Sequence, residues 1–137
     1  MATHFDPGTE DPALQAFLTQ RHLATLTTLR PDGTPHVVPV GFTYEPARRL
    51  ARVITFAPSR KARNVVAAPG GPASLCQLDG ARWVTIEGAA FVRDDPEAVA
   101  EAVRRYAARY RPPKARSDRV VIELEVHRIL GSLGAGV

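Results

Sequence analysis

The sequence predicts a β-rich α+β domain of about six strands, with short helices between them, closed or nearly closed into a barrel. Three observations carry that reading. Short apolar runs alternate with polar residues at a period of two. Strong turn signals, Arg30-Pro31-Asp32-Gly33 and Asp79-Gly80 among them, separate those runs. Only three segments pair a cap residue with helical spacing. The 137 residues form one expected domain, with residues 1–10 expected to be flexible.

Asp11 and Pro12 supply an N-cap and a first helical residue ahead of Leu14, Phe17 and Leu18, which share one helical face. His22 to Leu29 and His36 to Tyr44 read as a hairpin around the Pro31-Asp32-Gly33 turn, with Val38, Val40, Phe42 and Tyr44 on one face. Pro39 lacks an amide donor, which argues for a strand edge facing something other than a partner strand. Leu50 to Phe56 is the third strand. Ser59 then caps a helix from about Arg60 to Ala67, ended by Pro69-Gly70-Gly71-Pro72. Ala73 to Leu78 and Arg82 to Val92 form a hairpin across Asp79-Gly80, with Gly88 marking a bulge. Asp95 and Pro96 open the longest helix, whose stripe holds Val99, Ala102, Val103, Tyr106 and Tyr110, stopped by Arg111-Pro112-Pro113. The last strand, Arg119 to His127, places Val120, Ile122, Leu124 and Val126 inward and Glu123 and Glu125 outward.

Composition removes several classes of function. No apolar stretch approaches the 18 or so residues that a membrane span needs. Residues Met1 to Pro12 carry Asp6, Glu10 and Asp11 without a basic region and an apolar core, so the cytoplasm is the expected compartment. Cys76 is the single cysteine, which excludes a disulfide framework and a multi-cysteine metal site. The histidines His4, His22, His36 and His127 lack ligand spacing, so no metal is expected. The formal charge of +4, almost all of the cations being arginine, points to anionic partners.

The segment Thr55 to Asn64 concentrates the chemistry. A strand end, a serine cap and the adjacent Arg60 and Lys61 bring amides, a hydroxyl and positive charge to one point, as phosphate sites do. The same pattern also describes a capped surface helix with solvated cations. It is not a nucleotide triphosphate loop, because no glycine-rich turn precedes Lys61. Arg104, Arg105, Arg109, Arg111, Lys114, Arg116 and Arg119 form a second basic cluster, opposed locally by Asp118. It reads either as a solvated helix face or as a clamp for carboxylates or phosphates. No nucleophile and base constellation stands out, so no catalytic side chain is expected; were the chain an enzyme, a cofactor would carry the chemistry.

The run His22 to Leu29, the segment Asp32-Gly33-x-Pro35-His36-Val37-Val38-Pro39-Val40, Thr55 with Ser59-Arg60-Lys61-Ala62, Asp79-Gly80-Ala81-Arg82-Trp83-Val84, Glu87-Gly88 and Arg119-Val120-Val121-Ile122-Glu123 closely resemble the flavin/deazaflavin oxidoreductases of the pyridoxamine 5'-phosphate oxidase-like split β-barrel superfamily. The resemblance covers about His22 to Ser132 and is greatest to the mycobacterial-type biliverdin reductases that use coenzyme F420.

That resemblance implies a homodimer of split barrels with cofactor sites at the subunit interface. It implies that Ser59, Arg60 and Lys61, with Thr55, hold the phosphate of coenzyme F420, or alternatively of FMN, with Asn64 adding a polar contact. Val38, Pro39, Val40 and Gly41 would lie along the ring, with Gln77, Asp79 and Trp83 from the opposing hairpin. Arg111, Lys114 and Arg119 would bind the propionates of a tetrapyrrole, most simply biliverdin reduced to bilirubin. No tryptophan follows Trp83, unlike the tryptophan-bearing C-terminal segment of pyridoxamine phosphate oxidases, which argues against that activity. Haem-binding relatives are a further alternative. A nucleic-acid module is disfavoured because the nine aromatics are scattered and no recognition motif appears.

Overall fold

Local chemistry sets the three helix starts. Asp11 caps α1 (Pro12–Thr19) by accepting from the amides of Ala13 and Leu14. Ser59 caps α2 (Arg60–Ala67) through the Ala62 amide at 3.2 Å, and Asp95 caps α3 (Pro96–Arg109) through that of Ala98. Each cap satisfies an amide that the first turn leaves without an intrahelical partner. The structure is a computed structural model and describes residues 2–134.

The strands are β1 (Thr3–Phe5), β2 (Ala24–Leu29), β3 (Pro35–Val40), β4 (Thr43–Glu45), β5 (Leu50–Phe56), β6 (Gly71–Asp79), β7 (Arg82–Arg93) and β8 (Arg119–Ser132). They form one antiparallel sheet in the order β3-β2-β6-β7-β8-β5-β4, with β1 added to β8. The class matches expectation, but eight strands replace about six.

Two departures account for the difference. Thr3–Phe5, inside the segment expected to be flexible, pairs with Ile129–Gly131. The run His36 to Tyr44 breaks at Gly41 and Phe42, so that its halves pair with β2 and β5 respectively. Phe42 is 1% exposed, and its carbonyl accepts from Arg109 Nη1 at 2.6 Å. Tertiary bonding to α3 therefore overrides the alternation. β8 also runs past His127 to Ser132, because the first half of β7 pairs with that extension. The register shifts at Glu87/Gly88, where a Cβ on Gly88 would lie 2.2 Å from the Glu125 carbonyl oxygen.

Phe17 of α1 joins Leu26, Leu75, Ile86, Ile122 and Leu124 in the buried core. α2 lies against β2 and β7, and α3 against β4, β5 and β8. β4 covers only Leu50, Ala51 and Arg52 of β5, so Val53–Phe56 keep one lateral edge free. β3 pairs with β2 alone. The two free edges border one cleft without pairing, which leaves the barrel split.

Candidate cofactor site

The cleft, about 290 Å³, is lined by Pro39 and Val40 of β3, by Gly41 just after it, and by Ile54, Thr55 and Phe56 of β5. Lys61, Tyr106, Pro113, Arg116 and Arg119 complete it. Its floor follows from the turn after β5. Thr55 Oγ1 donates to Ser59 Oγ at 3.0 Å, which in turn accepts from the Ala62 amide. Both side chains are buried, so the first turn of α2 is fixed relative to the strand end.

Cations converge above that turn. Lys61 is half-buried, and burial pushes its ammonium below the ordinary lysine pKa. Its Nζ lies 5.9 Å from the centroid of Phe56, and the Arg116 guanidinium lies 4.1 Å from the same centroid. Arg116 is held by a two-point pair with Asp118 at 2.9 and 3.1 Å. Arg119 stands opposite Phe56 in the β5–β8 register. The ring of Tyr106 packs so closely on Gly41 that a Cβ there would lie 2.8 Å from it, so glycine lets α3 close one wall.

Behind the turn, Asn64 Nδ2 donates to Thr28 Oγ1 at 3.1 Å, while Asn64 Oδ1 and His36 Nδ1 are buried without partners. Thr28 links the two residues, accepting from Asn64 and standing opposite His36 in the β2–β3 register. A second, larger cavity of about 400 Å³, on the outer sheet face around Leu29, Ser74 and Glu87, gathers no such group of cations.

The structure brings Pro39, Val40, Gly41, Thr55, Lys61 and Arg119 into the cleft, with Ser59 beneath it. Val38 packs against the core, Asn64 is buried under α2 and Arg60 is exposed on its first turn. Gln77, Asp79 and Trp83 lie elsewhere, on the β6–β7 hairpin. Gln77 is 1% exposed, its Nε2 donating to the Phe17 carbonyl and its Oε1 accepting from Arg109 Nη2, both at 2.7 Å. Asp79 accepts from Arg82 at 2.6 Å, and Trp83 is half-buried. Arg111 and Lys114 are exposed and do not line the cleft. Tyr106, Pro113 and Arg116 do; the sequence places Arg116 in the basic cluster but assigns none of the three to the cofactor or the substrate. Their common signal is position: all three stand on the last turn of α3 or in its exit loop.

An antiparallel barrel split along a cation-lined cleft defines a small β-barrel domain with a seat for an anionic ligand. The chain belongs to the pyridoxamine 5'-phosphate oxidase family, whose model matches residues 10–132. It is 56% identical over 122 residues, covering 89% of this chain and 87% of the relative, to the F420H2-dependent biliverdin reductase of Mycobacterium tuberculosis (strain CDC 1551 / Oshkosh). A conserved hypothetical protein of Mycobacterium tuberculosis superposes with a TM-score of 0.77 at 23% identity, covering 94% of this chain and 89% of the other. A solved F420 reductase superposes with a TM-score of 0.66 at 25% identity, covering 84% and 94%.

Proposed function

We propose that this chain is an F420H2-dependent oxidoreductase that reduces biliverdin to bilirubin as a homodimer. One observation carries the reading: the Ser59 turn and its cations open onto the same cleft as the unpaired edge of β3. The cleft chemistry fits a flat ring bearing an anion. Ser59, Arg60 and Lys61 would hold the phosphate, with Asn64 behind them, and Val38 to Gly41 would back the ring. FMN fits the same turn and is the competing cofactor.

When bound, the reduced deazaflavin supplies a hydride. The chain's own residues do the positioning. Pro39 presents an edge without an amide donor, and Tyr106 and Pro113, which line the cleft, would limit the access of water to a bound ring. Arg119, joined by Arg116 and by the exposed Arg111 and Lys114, would draw the propionates of the acceptor to the mouth. Their positive charge would offset the negative charge that builds on the acceptor as hydride arrives. Holding the flat acceptor close to the cofactor would be the chain's main contribution to the rate. Solvent at the open mouth supplies the proton.

The homodimer is supported by the outer sheet face, where Leu29, Val37 and Leu78 are 42%, 58% and 63% exposed. Asp79 and Trp83 stand outside the cleft of their own chain, so a role for them at a cofactor requires a second copy. The test mixes purified protein, F420H2 and biliverdin and follows bilirubin absorbance. Turnover is expected, and its loss in Lys61→Ala by about tenfold or more in cofactor affinity corresponds to one charge-assisted contact. No bilirubin would remove the substrate, and a response to FMN alone would replace the cofactor.

A further inference from the structure

His36 shares a face of β3 with Val38 and Val40, pointing inward, and does not itself line the cleft. Its ladder partner on β2 is Thr28, whose hydroxyl accepts from Asn64 Nδ2. The imidazole therefore lies beside the underside of α2. Arg60 precedes Asn64 by one turn on the same helical face, and Lys61 follows Arg60. His36 Nδ1 and Asn64 Oδ1 are buried there with no partner among the described residues.

The surroundings of His36 are cationic on every side that carries charge. Arg30 faces it from the β2–β3 turn, and Lys61 and Arg60 face it from α2, whereas β2 presents the neutral Thr28. Asp32, on the same turn as Arg30, is already held by the amide and hydroxyl of Thr34. Burial first, and then the charges of Arg30, Lys61 and Arg60, hold the imidazole below the ordinary histidine pKa.

We infer that His36 is a further member of the anion-holding group, neutral while the cleft is free and protonated as a phosphate settles on the Ser59-to-Lys61 turn. The inference rests on that turn being the phosphate seat proposed above. A neutral imidazole is favoured beside the charges of Arg30, Lys61 and Arg60, the first of them partly offset by Asp32. An anion placed among them cancels their field, and the imidazolium then offers its buried Nδ1–H as a donor. Because the bound state has the higher affinity for the proton, binding takes one up, and phosphate affinity falls as pH rises between the two titration midpoints. One coupled proton limits that fall to about tenfold per pH unit.

The test follows the His36 imidazole by NMR through a pH titration of the protein alone, with inorganic phosphate and with F420. Fluorescence titrations with F420 over the same pH range compare the parent with His36→Gln, which keeps a side-chain N–H donor but cannot titrate. The midpoint is expected to rise by roughly one unit or more with either anion, and the pH slope of F420 affinity is expected to flatten in the variant. A midpoint unmoved by both anions, or an unchanged slope in His36→Gln, would overturn the inference. A response to inorganic phosphate without F420 binding would support His36 while removing the proposed cofactor.

Discussion

Ser59 does two jobs with one oxygen, and they can be separated. It caps α2 and takes the Thr55 hydroxyl, and the same turn faces the cleft. Ser59→Ala is expected to cost about 1 kcal/mol of stability from the lost cap and to weaken cofactor binding. Ser59→Asp keeps a capping oxygen but adds negative charge, so it should retain more stability than alanine in urea titrations while binding F420 less well than either. Equal binding by the parent and Ser59→Asp would show that the turn does not face an anion. The three caps at Asp11, Ser59 and Asp95 are legible in the sequence because each is decided by residues within a few positions. The surroundings of His36 are not legible, since Thr28 stands opposite it on β2 while Lys61 and Arg60 bring their charge from α2.

At the scale of elements, α3 shows how a basic run can be read only with the fold in hand. The sequence offers a solvated face or an anion clamp for its arginines. The structure gives Arg105 the distant Glu45 at 3.1 Å as well as Glu101, and turns Arg109 inward. Arg109 donates to the carbonyls of Gln20 and Phe42 at 2.9 and 2.6 Å and to Gln77 Oε1, tying α1, the β3–β4 link and β6 to one helix. Arg109→Met should therefore destabilise the protein by about 3 kcal/mol, because several buried acceptors lose their donor at once. Chemical denaturation measures this. A change below about 0.5 kcal/mol, the usual effect of an exposed surface substitution, would mean that water replaces the guanidinium. The extension of β8 was equally illegible. His127 to Ser132 lacks the clean alternation before it, and the sequence pattern ends the strand at His127. In place, a Cβ at Gly131 would lie 2.3 Å from the Trp83 carbonyl oxygen, so the glycine is what permits pairing to continue.

For the whole molecule, the open question is what covers the outer sheet face. A second copy is the occupant proposed, and Val37 and Leu78 provide its test because both are exposed in the protomer. The double variant Val37→Lys, Leu78→Lys should leave the protomer folded by circular dichroism and shift sedimentation from dimer to monomer. If Asp79 and Trp83 serve a partner's cleft, F420 affinity should fall along with dimerisation. A dimer that persists would place the interface elsewhere. The split barrel itself was legible from resemblance and its β3 border from Pro39, whereas its β5 border was not. It depends on β4 stopping after three residues of β5, a length that no periodicity announces.

The prolines of β3 carry a consequence for colloidal behaviour. Pro35 and Pro39 oppose Leu29 and Thr25, and proline cannot supply the paired bonds of a narrow ladder position, so the nitrogens of residues 35, 37 and 39 all point away from β2. Of these three only Val37 has a hydrogen to give. An incoming extended chain would therefore find a single donor along most of this border, too few to lengthen the sheet. The feature that holds the slot open also guards an exposed margin against fibril-like growth.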